Sequence, residues 1–450
     1  MRLIVRRTLL IVSCIVFLIV VPPILLYALG YRPTSLSPIP SPVGVAFIEA
    51  VPRKASVTVN GVEYGTLPRA IPNLEPGLAT IRVTKEGYQP WEKQLPIEPA
   101  KATDARFIKL LPEVFEQDII LGNAKLFSVF EPTGSIAAVT SDNRVLITDE
   151  FGKPRTTPIT LSRTPIHLAW SSDGTAILVS FSKNTYEILR IQGSVVDKIS
   201  ASSLASFDLI KWDSGSSSTI YARTPSHSVI SYDVQTGTVT NIAKDIATYT
   251  LSGRDLIVQH TDSTLHIQRI GSHEERNLTS DINQEAQMIL QSREDHIAIL
   301  CTDGTLKVLP KNGALISIGS GVQRVSWSPD GQLLLVQTAA GELRVYNVET
   351  EYLAGIPPRE LHQVVRLSRP ISNPQWMPDS QHIVYESDGT TIISEIDTRD
   401  HAITRTVDTG ISSNIVASSD GKSLLFIKSI NERNKPSSLV RTWLMVGDDQ

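Results

Sequence analysis

Residues 325–336 read Val-Ser-Trp-Ser-Pro-Asp-Gly-Gln-Leu-Leu-Leu-Val, and degenerate copies of this unit recur through the C-terminal three quarters of the chain. An apolar strand end carries Trp327, a Ser-Pro-Asp-Gly turn follows, and a second apolar strand leaves the turn. Each turn residue has a mechanical role. Pro329 fixes φ near the value needed at the second turn position, Asp330 bonds back to nearby N–H groups, and Gly331 tolerates φ > 0. The flanking Val325, Trp327, Leu333, Leu335 and Val336 suit a pleated, buried surface. One such unit fits any all-β protein; its repetition narrows the choice.

The copies align. Trp170, Asp173 and Gly174 precede the apolar run 176–179; Trp376, Pro378, Asp379 and Ser380 precede 382–385; Asp420 and Gly421 precede 423–427. Weaker copies are centred on Gly134, Gly215, Gly253 and Asp295. The turn positions 134, 174, 215, 253, 295, 331, 380 and 421 lie 36 to 49 residues apart, with a mean near 41. That is the length of one four-stranded propeller blade. Thr302-Asp-Gly-Thr305 and Ser387-Asp-Gly-Thr390 are hairpin signals. The runs 343–348, 391–396 and 229–234 read as outer strands. The expected fold is therefore all-β, with a propeller over residues 113–450. Eight blades follow if every unit is a blade, seven if the unit around Leu251 is an insertion. The Trp-Ser-Pro-Asp-Gly unit followed by an apolar strand resembles the blade signature of TolB-like (WD-type) propellers. That resemblance implies a fold and no particular activity.

At the other end of the chain, residues 1–8 form a basic segment in which Arg2, Arg6 and Arg7 precede an uncharged apolar run, residues 9–29. A run of that length at ~1.5 Å per residue spans about the hydrocarbon core of a bilayer. Residues 9–30 are expected to be a signal-anchor helix, with the arginines cytoplasmic and the bulk of the chain extracytoplasmic. A cleavable signal peptide is the alternative, and Ala28-Leu-Gly30 matches its cleavage pattern poorly. Pro22 and Pro23 are expected to kink the helix or mark its outer third. Tyr27 and Tyr31 sit where an interfacial aromatic belt lies. Residues 31–42, rich in Pro and Ser, are expected to be a short extended spacer.

Residues 43–111 have the pattern of a small β-sandwich. A first strand covers 45–48. Asn60 and Gly61 join strands 55–59 and 62–64 through a tight type I′ turn. Residues 65–68 read as a loop, 74–77 as a turn into the alternating strand 78–83, and 107–110 as a closing strand. Pro52, the hairpin at 57–61, Gly65 with Thr66 and Pro68, Leu74 with Pro76 and Gly77, and the Lys85-Glu-Gly-Tyr88 run together resemble the PEGA domain family. The resemblance implies an extracytoplasmic sandwich of bacterial and archaeal surface proteins, without catalysis. Gly87 and Tyr88 read as turn and packing residues.

Residues 112–450 hold 29 Lys and Arg against 39 Asp and Glu. An acidic domain offers no footprint for nucleic acid or anionic lipid. Cys14 and Cys301 are too differently placed to pair, so neither a disulfide framework nor a Cys-rich metal site is expected. The sequence contains no Gly-x-Ser-x-Gly elbow, His-Glu-x-x-His helix, P-loop or dinucleotide fingerprint. No catalytic residue and no cofactor are assigned. His260, Asp262, His266 and His273 form a local group, but Thr261-Asp-Ser-Thr264 reads as a hairpin turn that interrupts it, and no metal site is assigned. Asp173, Asp330, Asp379 and Asp420 are explained as turn residues, and Trp170, Trp212, Trp327 and Trp376 as packing between blades. Two functions remain open. One is a binding or scaffold protein of a prokaryotic envelope that takes a protein, peptide or glycan on its propeller. The other is an enzyme acting on a surface glycan or peptide through acids gathered in the central channel.

Overall fold

The computed structural model describes residues 2–28, 31–32, 41–182, 184–272, 274–279, 282–338, 341–349, 351, 355–429 and 437–447. The apolar N-terminal run forms one helix, Arg2–Ala28, within which Arg6–Tyr27 has a mean hydropathy of 3.1 and no buried residues. It is long and apolar enough to cross a membrane. Pro22 and Pro23 lie inside it. The spacer departs from expectation: Tyr31 and Arg32 pair antiparallel with Pro42 and Ser41, so its two ends meet instead of extending apart. Residues 33–40 lie outside the described ones.

The chain folds into two compact units. The first holds Met1–Val114 together with Thr398–Ile403 and Met445–Asp449. Its sandwich has a four-stranded sheet, in the order Val62–Thr66, Ser56–Val59, Gly77–Thr84, Trp91–Ile97, and a three-stranded sheet, in the order Arg69–Leu74, Gly44–Val51, Ala102–Lys109. Strands Gly44–Val51 and Trp91–Ile97 alternate buried and exposed residues, as a sheet with one covered face requires. Ile48, Val57, Ile71, Ile81, Val83 and Leu95 meet between the sheets. Asn60 and Gly61 both take positive φ, +50° and +79°, the type I′ geometry expected. Tyr88 is buried in the core, with its hydroxyl accepting from the Val446 N–H at 2.7 Å. Two features differ from the sequence reading. Residues 65–68 are not a simple loop, since Gly65 and Thr66 finish a strand. Arg69–Leu74 is a strand that its Pro72 and lack of alternation conceal. The closing strand runs parallel to Gly44–Val51.

The second unit, Phe115–Asp397 with Thr404–Leu444, is built of repeats. Among the described residues, eight four-stranded antiparallel sheets follow one another between Gln117 and Trp443. Their first strands are Ala124–Phe130, His167–Trp170, Asp208–Trp212, Ile246–Ser252, Ala286–Gln291, Val322–Trp327, Ile371–Trp376 and Ile411–Ala417. These first strands touch one another in succession, and Ala124–Phe130 also touches Ile411–Ala417, so they form a closed inner ring. The unit around Leu251 makes its own complete sheet. The last sheet is completed by Gln117–Leu121, which pairs with Ser438–Trp443.

The second strand of each sheet is apolar on both faces because both faces are covered. Leu333 and Leu335 pack with Ile371, Ile383 and Tyr385 of the following sheet, whereas Leu334 and Val336 pack with Ala298, Leu300 and Val308 of the preceding one. A strand buried on both sides reads as a continuous apolar run rather than an alternation. The runs read as outer strands are third strands: Glu342–Asn347 lies inside Leu361–Arg366, and Thr390–Glu395 inside Thr404–Thr409. The true outermost strands are exposed and weakly apolar, so their pattern is faint; Val239–Ala243 buries only its last residue.

Candidate functional site

The tryptophans at the ends of the first strands form a repeated bond between sheets. The indole N–H of Trp170 donates to the Ser128 carbonyl at 3.1 Å, Trp212 to Ala169 at 2.9 Å, Trp327 to Leu290 at 3.1 Å and Trp376 to Ser326 at 3.1 Å. Each acceptor lies on the first strand of the preceding sheet. Tyr249 does the same work in its sheet, donating to the Leu209 carbonyl at 2.6 Å.

The turn aspartates are occupied by their own turns. The Asp173 carboxylate accepts from the Thr175 N–H at 2.9 Å and from the hydroxyls of Thr175 and Ser171. Asp330 accepts from the Ser328 hydroxyl and the Gln332 N–H, and Asp420 from Ser418 and the Lys422 N–H. Asp379 accepts from the N–H groups of Gln381 and His382 and pairs with the His382 ring at 3.0 Å. Pro329 and Pro378 precede these aspartates in the same turns. Burial alone would raise the Asp173 carboxyl, but hydrogen bonds from Thr175, Ser217 and Ser171 outweigh it and hold it at about 2. Seven of the eight turn positions have positive φ, with Asp295 and Ser380 standing where others use glycine; Gly215 is the exception. Gly174, Gly331 and Gly421 are at +71°, +81° and +69°.

The ring of first strands holds a single carboxylate, Asp208, and Arg223 binds it through two hydrogen bonds of 2.9 and 2.7 Å. The exposed polar residues on these strands are otherwise Lys125, His167, Gln287, Gln323, Arg324 and Ser372 among the described residues.

A recessed site occurs where the first and last sheets meet. A cavity of about 310 Å³ is lined by Glu131, Glu150, Phe151, Asp420, Arg441 and Trp443, among others. Arg441 is only 4% exposed. Its guanidinium lies 5.4 Å from the Phe151 ring centre and 5.2 Å from that of Trp443, and it donates to the Glu150 carbonyl. Its Nε–H is buried without a hydrogen-bond acceptor. Burial draws the guanidinium below its ordinary range, while Glu150, Asp118, Asp420 and Asp149 act in the opposite direction. Trp443 is fixed by its N–H donating to Asp118 at 2.7 Å, and Phe151 is 68% exposed. The arrangement offers a preorganised cation and an aromatic surface. Nothing in the linear sequence joins Phe151 to Arg441; only ring closure does.

The turn expected at 261–264 forms, and instead of parting the local histidines it folds His260 onto His266. Their rings meet edge to face at 4.8 Å, and Glu275 of the next strand joins them. Asp262 stays in the turn, bonded to Thr264. His273 lies outside the described residues.

With this geometry, the second unit has the β-propeller fold. It is similar to the C-terminal WD40 domain of Sif2, at 13% identity and a TM-score of 0.53, covering 74% of this chain and 99% of that one. It is likewise similar to Sqt1 of Saccharomyces cerevisiae, at 12% identity and a TM-score of 0.50, covering 72% and 97%. BamB from Moraxella catarrhalis aligns at 11% identity and a TM-score of 0.48, covering 73% and 96%. Residues 43–112 match the PEGA domain family. No curated protein matches the sequence.

Proposed function

We propose that the chain is a membrane-anchored binding or scaffold protein of a prokaryotic cell envelope, whose propeller engages a protein, peptide or glycan. In this reading the helix Arg2–Ala28 anchors the chain with its arginines in the cytoplasm, and both β units lie outside. The PEGA match and the propeller fold support a binding role. The observation that carries it is the recess around Arg441. Its volume falls at the lower end of the range for ligand pockets, about 300–1,000 Å³. A buried guanidinium that lines the recess favours a ligand that supplies a carboxylate or carbonyl oxygen. Phe151 and Trp443 present faces for a sugar ring or an apolar side chain.

The test uses full-length protein in detergent as bait against an envelope extract and against panels of cell-wall glycans and peptides. A saturable partner whose binding weakens at least tenfold in Phe151→Ala supports the proposal. That side chain is exposed, so the variant is expected to fold normally. Turnover of a glycan or peptide in the same panels, with no saturable partner, overturns the proposal in favour of an enzyme.

A further inference from the structure

We propose that His260, His266 and Glu275 form a binding site for one divalent transition-metal ion of the zinc class. The three residues come from successive strands of one sheet: His260 ends Asp255–His260, His266 lies in Leu265–Arg269, and Glu275 begins Glu275–Thr279. Register puts them on one face. His266 stands opposite Val258 on one side and Asn277 on the other, and His260 and Glu275 are each two residues from those partners.

The two Glu275 spacings already suit a metal, and the two imidazoles would close toward each other on an ion. Glu275 Oε2 lies 3.2 Å from His260 Nε2 and 3.5 Å from His266 Nδ1, and the three ligand atoms fall within 4.8 Å of one another. Zinc bonds of ~2.0–2.1 Å to nitrogen and oxygen place tetrahedral ligand atoms about 3.3 Å apart. The set is mixed imidazole and carboxylate, which suits zinc-class ions rather than calcium or magnesium. Three protein ligands leave one position for water. The side chains are 19%, 20% and 31% exposed, so the site is sheltered yet reachable.

Hydrogen bonds around His266 strengthen the case. The Thr264 hydroxyl donates to Asp262 at 2.6 Å and lies 3.1 Å from His266 Nε2. A hydroxyl whose proton is directed at a carboxylate accepts from the ring, so Nε2 carries a proton and, in the neutral ring, the lone pair is on Nδ1. That lone pair is buried, has no hydrogen-bond partner, and faces the Glu275 carboxylate. Two electron-rich groups in that position call for a cation between them. An orienting group on the far nitrogen is also the usual outer support of a metal-bound histidine. A second proton on His266 is the competing occupant.

The test uses chelator-treated full-length protein in detergent, titrated with Zn²⁺ by calorimetry and with Co²⁺ in visible absorption. The expected result is one equivalent of Zn²⁺ bound, visible Co²⁺ bands of a four-coordinate site, and a raised unfolding temperature. All three should vanish in His260→Ala/His266→Ala and weaken at least tenfold in Glu275→Gln, while His362→Ala keeps them. Glu275→Gln preserves shape and serves if the double variant fails to fold. Absence of saturable uptake by the unmodified protein, or uptake undiminished in the variants, overturns the proposal. So does an imidazole nitrogen NMR spectrum showing doubly protonated His266 that added Zn²⁺ does not change.

Discussion

At the scale of single residues, the repeated turn is a hydrogen-bonding device whose parts can be removed one at a time. Asp330→Ala deletes the acceptor for the Gln332 N–H and the Ser328 hydroxyl. Bonds to a charged acceptor contribute about 1.5–3 kcal/mol, so denaturant unfolding should show a loss of that order. Asp173 adds a pH signature. Its folded pKa of about 2 lies below the ordinary 3.8, so its contribution is complete above pH 4 and disappears as pH falls through 2. Asp173→Asn should therefore flatten the acid limb of the stability curve between pH 4 and 2, measured by unfolding at stepped pH. Trp327→Phe keeps most of the packing and removes the bond to Leu290. The expected cost is ~1 kcal/mol by the same unfolding measurement. These residues were legible because the turn is local: Pro, Asp and Gly act on neighbours one or two positions away. Arg441, Phe151 and Glu275 were not, since what makes them notable is the company that register and ring closure give them.

At the scale of elements, the second strands and the hairpins were read well, because a doubly buried strand and a positive-φ turn each leave a strong mark on composition. Third and fourth strands were blurred. The fourth is half exposed and carries little apolar signal, so the third was mistaken for the edge. Arg69–Leu74 escaped because strand pairing, not side-chain alternation, defines it. The turns also connect sheets. A Cβ at Gly331 would meet the Arg293 and Glu294 backbone nitrogens at 3.0 and 3.2 Å, and φ there is +81°. Gly331→Ala should thus disturb both its own turn and the turn at Ser292–His296 in the preceding sheet. We expect a loss of about 1–3 kcal/mol in unfolding, with amide exchange accelerated in both turns rather than one.

At the scale of the whole molecule, the propeller unit is a ring in which, among the described residues, seven apolar clusters each join two neighbouring sheets. Its closing sheet takes Gln117–Leu121 from one end of the unit and Ile411–Ala417, Ser423–Ser429 and Ser438–Trp443 from the other. Ending the chain at residue 437 removes a central strand, not a tail. Such a truncation should lose cooperative unfolding and bind a hydrophobic dye. Deleting residues 117–121 should leave the Ser438–Trp443 edge unpaired and shift the protein toward aggregates on size-exclusion chromatography. Neither consequence can be read from the repeat alone, because the repeat describes what one sheet is and not where the first and last join.

That join also sets a clock. Gln117–Leu121 leaves the ribosome some three hundred residues before its partner Ser438–Trp443 is made. At about 5–20 residues per second the wait is on the order of 15–60 seconds. Throughout it the nascent chain carries an incomplete circle with two uncovered sheet faces. Synthesis speed, and whatever shields those faces in the meantime, therefore bear on the yield of this protein.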